Sequence, residues 1–198
     1  MSNTTYDPVP GAVAILQDTR TWLEKAVIGL NLCPFAKAVA RRGQIRYVIS
    51  LAQDRDALAL ELTTELSLLA TTDAEVTDTT LLIHPLVLTD FFDYNAFLPQ
   101  ADRIIRRLGL AGTLQVASFH PDYAFADCAA DAIENCTNRS PYPMLHLLRE
   151  ASIVRAVAAF PAAEAIYEKN IATLQALGPD GWLALGVSAS IGASTGKA

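Results

Sequence analysis

The sequence predicts a helix-rich α/β fold, with a small three-stranded, mainly parallel sheet built from βαβ units and helices on both faces. Three short apolar segments, each of strand length, alternate with longer segments of helical periodicity. Hydrophobic residues make up 52% of the chain but aromatic residues only 8%, and the excess of alanine and leucine favours helices. No hairpin signal joins any two strands, so we expect crossover connections and no antiparallel neighbours.

The first quarter of the chain predicts two helices and a strand. Apolar residues recur at helical spacing over residues 13–30, and Cys33-Pro34 interrupts this pattern. Pro34 opens a second, short helix that ends near Gly43. Residues 45–51 are rich in β-branched and aromatic side chains, which predicts the first strand.

The middle of the chain repeats the alternation of helix and strand. Asp54 is an N-cap candidate for a helix with one leucine stripe, formed by Leu58, Leu62, Leu66 and Leu69. Residues 79–84 predict the second strand, which Pro85 ends. Residues 88–108 are helical in pattern, and we expect Pro99 to split or kink them.

A third strand is predicted over residues 113–119. A stretch crowded with Asp, Asn, Pro and Tyr then runs over residues 121–143, and loops of that length are often functional. Two helices are predicted after it, over residues 144–160 and 162–177, the second closed by Gly178-Pro179.

Bulk properties restrict the function classes. We expect a leader over residues 1–11, one α/β domain over residues 12–182 and a disordered tail over residues 183–198. The net charge of −6 argues against nucleic-acid partners, and no apolar stretch approaches the ~20 residues that span a membrane. Three cysteines at irregular spacing, without a secretory signal, indicate the cytoplasm. The sequence leaves homo-oligomerisation open.

The three histidines suggest a site at the ends of the strands. His84 and His120 each follow a predicted strand, and His146 lies in the first turn of the helix predicted after the long loop. Ligands of parallel sheets bind at the carboxyl ends of the strands. With Asp122, these imidazoles could bind Zn²⁺ or Fe²⁺ or act in acid–base catalysis. Alternatively, each His-Pro ends a strand and its imidazole binds a loop carbonyl.

Asn138, Arg139 and Ser140 suggest an anion site. Ser140 would cap the helix predicted over residues 144–160, whose free amides attract anions, while Arg139 offers a planar fork to a carboxylate or phosphate of a small molecule. The alternative is that Arg139 pairs with acidic residues and fixes the loop.

Cys33 suggests thiol chemistry. It precedes Pro34 at a predicted helix start, where a helix dipole lowers the pKa of a thiol. The alternative is a buried structural cysteine.

Four segments together resemble a known family. They are WLEKAVIGLNLCPFA at residues 22–36, TLLIHP at 80–85, QVASFHPDY at 115–123 and TNRSPYP at 137–143. This chain resembles the domain-of-unknown-function family DUF fourteen-fifteen over residues 12–182. The resemblance implies a stand-alone protein of this size and brings no established activity, cofactor or site residue. Three functions follow from the residues: a small-molecule enzyme with a His/Asp site, a thiol-based redox or transfer protein, or a non-catalytic module that binds an anionic metabolite or a partner.

Overall fold

The computed structural model of the chain describes residues 11–158 and 165–188. Within these residues the α-helices are α1 (Ala12–Trp22), α2 (Ala36–Arg41), α3 (Arg55–Thr71), α4 (Phe91–Arg107), α5 (Glu150–Ala158) and α6 (Ile166–Ala184). The strands are β1 (Ile45–Ile49), β2 (Thr79–Ile83), β3 (Leu114–Phe119) and β4 (Met144–Arg149). A π-helical segment (Leu23–Ile28) continues α1, and a 3-10 helix (Ile133–Thr137) lies in the long loop. The predicted leader up to residue 10, and residues 189–198 of the predicted tail, fall outside the described residues.

The four strands form one sheet in the order β1-β2-β4-β3. β1 and β2 are parallel, whereas β4 runs antiparallel to both of its neighbours. The three predicted strands therefore point the same way and end at one edge, which we call the carboxyl edge. There Met144 pairs with Ile83 and Phe119. At the opposite, amino edge, Thr79 pairs with Leu148.

The strand β4 corrects two predictions. The sequence predicts one helix over residues 144–160, but Met144–Arg149 is a strand and only Glu150–Ala158 is helical. The sheet is consequently four-stranded and mixed, and the exclusion of antiparallel neighbours was wrong. β4 is central in the sheet and its leucines Leu145 and Leu147 are fully buried, so burial outweighs the helical preference of leucine. The chain enters β4 through a long loop, which leaves no hairpin signal in the sequence.

Helices α3 and α4 cover one face of the sheet. The leucine stripe predicted for α3 is confirmed, since Leu58, Leu62, Leu66 and Leu69 are at most 1% exposed. Burial of one leucine side chain contributes about 2 kcal/mol. These residues pack against Leu82 of β2 and against Phe97 of α4 in one core cluster.

The opposite face is covered by α1 and its π-helical continuation. Trp22, Ala26 and Val27 form a second core cluster with Leu81 of β2 and Met144 of β4. Side chains alternate between the two faces along each strand. The odd-numbered positions of β2 and the even-numbered positions of β4 therefore face α1, while the others face α3 and α4.

Local signals near the helix ends are largely confirmed. The Asp54 carboxylate accepts a hydrogen bond from the Ala57 amide at 2.8 Å, as expected of an N-cap. Pro99 does not split α4, which is continuous from Phe91 to Arg107. Because proline has no N–H, the carbonyl of Asn95 loses a helical hydrogen bond. Asn95 and Pro99 are both exposed, so water can replace the lost partner. Gly178, with φ of 68°, interrupts α6 at the predicted stop, and a further helical turn continues to Ala184.

Candidate functional site

Two of the three histidines lie at the carboxyl edge, and each lies beside the Tyr94 ring. The ring centroid of Tyr94 lies 5.8 Å from that of His84 and 5.1 Å from that of His120. The Tyr94 hydroxyl donates to the carbonyl of Met144 at 2.9 Å and accepts from the amide of Phe119 at 3.0 Å. Tyr94 therefore joins the end of β3 to the start of β4, and the sequence prediction that both histidines share this edge is confirmed.

His84 is a neutral core residue. Its Nδ1–H donates to the carbonyl of Val87 at 2.9 Å, so Nε2 carries no hydrogen. That nitrogen is buried and has no hydrogen-bond partner within the described residues. Burial lowers the pKa of His84 to about 4.

His120 is also neutral and also holds the loop that follows β2. The amide of Asp122 donates to Nδ1 at 3.0 Å, so Nε2 carries the hydrogen and donates to the carbonyl of Leu88 at 3.2 Å. Burial lowers the pKa of His120. Leu88 has a φ of 56°, a conformation that leucine rarely adopts and that this hydrogen bond helps to hold. Both imidazoles thus bind loop carbonyls, in agreement with the alternative interpretation of the His-Pro pairs.

His146 does not join this pair. It lies in β4 and not in a helix, and it pairs with Leu81 and Ala117. Its side chain lies on the face that α1 covers, whereas His84 and His120 contact Tyr94 on the face of α4. Across residues 11–158 and 165–188, no three histidine, cysteine, aspartate or glutamate side chains come close enough to hold a metal ion. The predicted set of His84, His120, Asp122 and His146 is therefore not assembled.

The anion site predicted at residues 138–140 lacks its helix. Residues 144–149 form β4, and the Ser140 hydroxyl donates to the carbonyl of Tyr142 at 2.7 Å instead of capping a helix. The Asn138 amide group donates to the carbonyl of Ser118 at 3.1 Å. Arg139 donates from Nε and from a terminal nitrogen to two backbone carbonyls of the long loop. Arg139 fixes the loop, although its partners are carbonyls and not the carboxylates proposed above.

The cysteine candidate Cys33 lies three residues before α2 and is partly buried. Burial raises the pKa of its thiol, and hydrogen bonds from the backbone amides of Phe35 and Ala36 offset this only in part. A raised pKa is the opposite of what a thiolate nucleophile needs. Use of Cys33 in redox or transfer chemistry stays a prediction.

A large cavity lies on the α1 face of the sheet and contains His146. Its volume is about 680 Å³, which is within the range of small-molecule sites. Side chains from the α1 segment, α2, α5 and all four strands line it, most of them apolar. Trp22 and Phe119 lie towards the carboxyl edge, while Gln44 and Asp78 lie at the amino edge. The cavity therefore has an apolar end and a polar end.

Two hydrogen-bonded chains form the polar end, and all of their residues line the cavity. In the first, which runs from Arg42 through Gln44 to Glu75, Arg42 Nε donates to the side-chain oxygen Oε1 of Gln44 at 2.6 Å. Gln44 Nε2 donates to the backbone carbonyl and to the carboxylate of Glu75, at 2.9 and 3.3 Å. The second runs from Arg155 through the Ser152 hydroxyl to the Asp78 carboxylate, at 2.8 and 2.5 Å. Each chain therefore joins an arginine to an acidic residue through a neutral side chain.

His146 stands midway along the cavity in one defined tautomer. The Thr79 hydroxyl donates to the carbonyl of Leu147 at 2.6 Å, so it can only accept from His146 Nε2, 2.7 Å away. Nε2 therefore carries the hydrogen and Nδ1 has a free lone pair. The ring makes no other hydrogen bond to the described residues, and the residue keeps some accessible surface at the cavity wall. Desolvation by the surrounding protein lowers the pKa of His146 to about 4, so the imidazole is neutral near pH 7.

This cavity was not predicted from the sequence, because a site was expected at the carboxyl edge of the sheet, whereas the polar end of the cavity lies at the amino edge. Gln44 directly precedes β1 and Asp78 directly precedes β2, whereas Ser152 follows β4. Only the reversed direction of β4 brings Ser152 beside the starts of the two parallel strands. Once residues 144–149 are known to be a strand, period-two alternation places His146 on the same face as Met144 and Leu148.

None of the helices in the described part of the chain is long and apolar enough to cross a membrane. Comparison with curated proteins and with solved structures gave no significant match. One family model does match, that of DUF1415, described as a protein of unknown function, over residues 14–184. This match confirms the resemblance seen in the four sequence segments, all of which lie within it. The chain belongs to the DUF1415 family.

Proposed function

We propose that this protein binds a small, largely apolar molecule in the cavity on the α1 face, and that His146 Nδ1 accepts a hydrogen bond from it. The observation that carries the proposal is the fixed tautomer of His146 beside an apolar cavity of about 680 Å³. Ligand sites in proteins combine mostly apolar walls with a few oriented polar groups. His146, held by Thr79, is such a group.

The state of the imidazole favours binding over proton abstraction. A general base works best when its pKa is close to the working pH, whereas the pKa of His146 is about 4. A neutral Nδ1 with a fixed direction is instead a good acceptor for a hydroxyl or an N–H group. Proton abstraction by His146 would require a substrate with an acidic proton.

The site proposed here replaces the strand-end site inferred from the sequence. The imidazoles of His84 and His120 and the guanidinium of Arg139 already donate to backbone carbonyls. Release of the two imidazoles would leave the buried carbonyl groups of Val87 and Leu88 without partners, which costs about 1–3 kcal/mol for each. We therefore assign these side chains to the structure of the loops.

A matched pair of ligands tests the proposal. 1-Octanol and its methyl ether have nearly the same apolar body, but only the alcohol can donate a hydrogen bond. Isothermal titration calorimetry should show that both bind and that the alcohol binds about five-fold more tightly, as expected for one hydrogen bond of about 1 kcal/mol. His146→Phe keeps a ring at this position and removes Nδ1, so it should make the two affinities equal.

A second pair of variants locates the binding site. Ala156 of α5 lines the cavity, whereas Ala151 of the same helix is exposed. Ala156→Trp should abolish binding of both ligands because the indole fills part of the cavity, and Ala151→Trp should leave binding unchanged. Absence of binding to the wild-type protein, or equal effects of the two tryptophans, would contradict the proposal.

A further inference from the structure

We infer that the ligand of this cavity is an apolar amine, bound as an ammonium ion by Asp78 and His146; the inference rests on the binding function proposed above. It comes from the hydrogen-bonding character of the inner polar groups. His146 lines the cavity, and its Nδ1 lone pair is the acceptor that stays available, since Nε2 is bound to Thr79. Asp78 is only 9% exposed and lines the same cavity. Both groups are acceptors, and they require a donor.

Asp78 has unused acceptor capacity. Its Oδ1 accepts from the Ser152 hydroxyl, and Oδ2 makes no hydrogen bond to the described residues. Two ion pairs within 4.0 Å occur in residues 11–158 and 165–188, Arg46–Glu65 and Arg55–Asp93, and neither includes Asp78. A carboxylate that is largely removed from water is stabilised by a positive charge close to it. A ligand ammonium supplies that charge together with N–H donors.

The arginines at the polar end do not reverse this preference. Arg42 and Arg155 are exposed, and each is joined to an acidic residue through a neutral side chain, Gln44 or Ser152. With Glu75 and Asp78 the formal charges at this end sum to zero. The difference in burial therefore decides which ligand charge is favoured, because water and salt screen the exposed guanidinium groups more than they screen the buried Asp78 carboxylate. The net charge of −6 also favours the approach of a cation.

Three ligands with one apolar body test the inference: octylamine, 1-octanol and octanoate, measured by isothermal titration calorimetry at neutral pH. Octylamine should bind at least about ten-fold more tightly than 1-octanol, and octanoate should bind most weakly. Asp78→Asn keeps an acceptor for Ser152 and removes the charge, so it should bring the affinity for octylamine to within about two-fold of that for 1-octanol. Asp127→Asn, an identical change at an exposed position that does not line the cavity, should leave all three affinities unchanged.

The outcomes separate the two proposals. If none of the three ligands binds, the cavity is not a ligand site and both proposals fail. If 1-octanol binds but octanoate binds as tightly as octylamine or more tightly, the binding function stands and the amine inference is wrong. The wild-type protein alone distinguishes these outcomes, so the test does not depend on the folding of the Asp78 variant. An unchanged preference for octylamine in folded Asp78→Asn would also overturn the assignment to Asp78.

Discussion

The Thr79 hydroxyl oxygen lies 2.7 Å from Nε2 of His146, and the same hydroxyl donates to the carbonyl of Leu147 at 2.6 Å. One side chain at the start of β2 thereby sets both the tautomer and the orientation of an imidazole in β4. Thr79 pairs with Leu148, so this contact also spans two adjacent strands. The hydrogen-bonding character of the cavity depends on it.

Thr79→Val should destabilise the protein by about 1–3 kcal/mol, because it leaves the Leu147 carbonyl and His146 Nε2–H without their partner. Thr80 in the same strand is the matched control: it is fully buried and its hydroxyl has no partner within the described residues. Thr80→Val should be neutral or stabilising. Urea unfolding measures both changes, and equal losses in the two variants would argue against the assigned role of Thr79.

Stability should fall as the solution is acidified. Burial lowers the pKa of His84 from 6.5 to about 4, so the unfolded chain takes up a proton more readily than the folded chain does. The contribution of His84 is fully present above about pH 6.5 and decreases as the pH falls towards 4, by about 2.5 kcal/mol at about pH 4.5. His84→Phe removes the titrating group and should lose correspondingly less stability over this range. If the free energies of unfolding in urea of the wild-type protein and of His84→Phe change by the same amount with pH, this contribution is ruled out.

Tyr94→Phe should cost about 2 kcal/mol, since it removes the hydroxyl that binds the Met144 carbonyl and the Phe119 amide at the carboxyl edge. Tyr167→Phe is the control, because Tyr167 is 52% exposed, and it should change stability by less than about 0.5 kcal/mol. Thermal unfolding followed by circular dichroism distinguishes the two. If the two variants unfold at the same temperature, the Tyr94 hydroxyl does not stabilise the contact between β3 and β4.

Cys33 should react slowly with iodoacetamide. Burial raises the pKa of this thiol, which lowers its thiolate fraction at neutral pH and also limits access. In a variant with Cys128→Ser and Cys136→Ala, Cys33 should be alkylated at least about ten-fold more slowly than free cysteine. Rapid alkylation, with a titration midpoint below the usual ~8.5, would support the thiol-based function instead.

The sequence predicts much of the framework because its signals are local. The leucine stripe of α3, the Asp54 cap and the three parallel-running strands each depend on periodicity or on one side chain near a helix end. β4 could not be identified in this way. Met144–Arg149 is largely buried on both faces and lacks β-branched residues, so neither alternation nor propensity marks it as a strand.

The candidate site was predicted less well because it depends on β4. The shared edge of His84 and His120 follows from strand direction and is confirmed, but their neutral, carbonyl-bound states depend on the loop after β2. His146 was placed in a helix, and therefore at the ends of the strands with the other two histidines, whereas it lies within β4. The contact between His146 and Thr79 joins residues 67 positions apart, and no spacing within the sequence indicates it.

The most direct test of the proposed site is ¹⁵N NMR of the His146 imidazole in the free protein and with 1-octanol. We expect a protonated Nε2 and a bare Nδ1 throughout the range of about pH 5.5 to about pH 8, because the pKa is about 4, and a shift of the Nδ1 resonance when the alcohol binds. An imidazole that titrates near its usual value of ~6.5, a hydrogen on Nδ1, or an Nδ1 resonance that bound alcohol leaves unchanged would contradict the account.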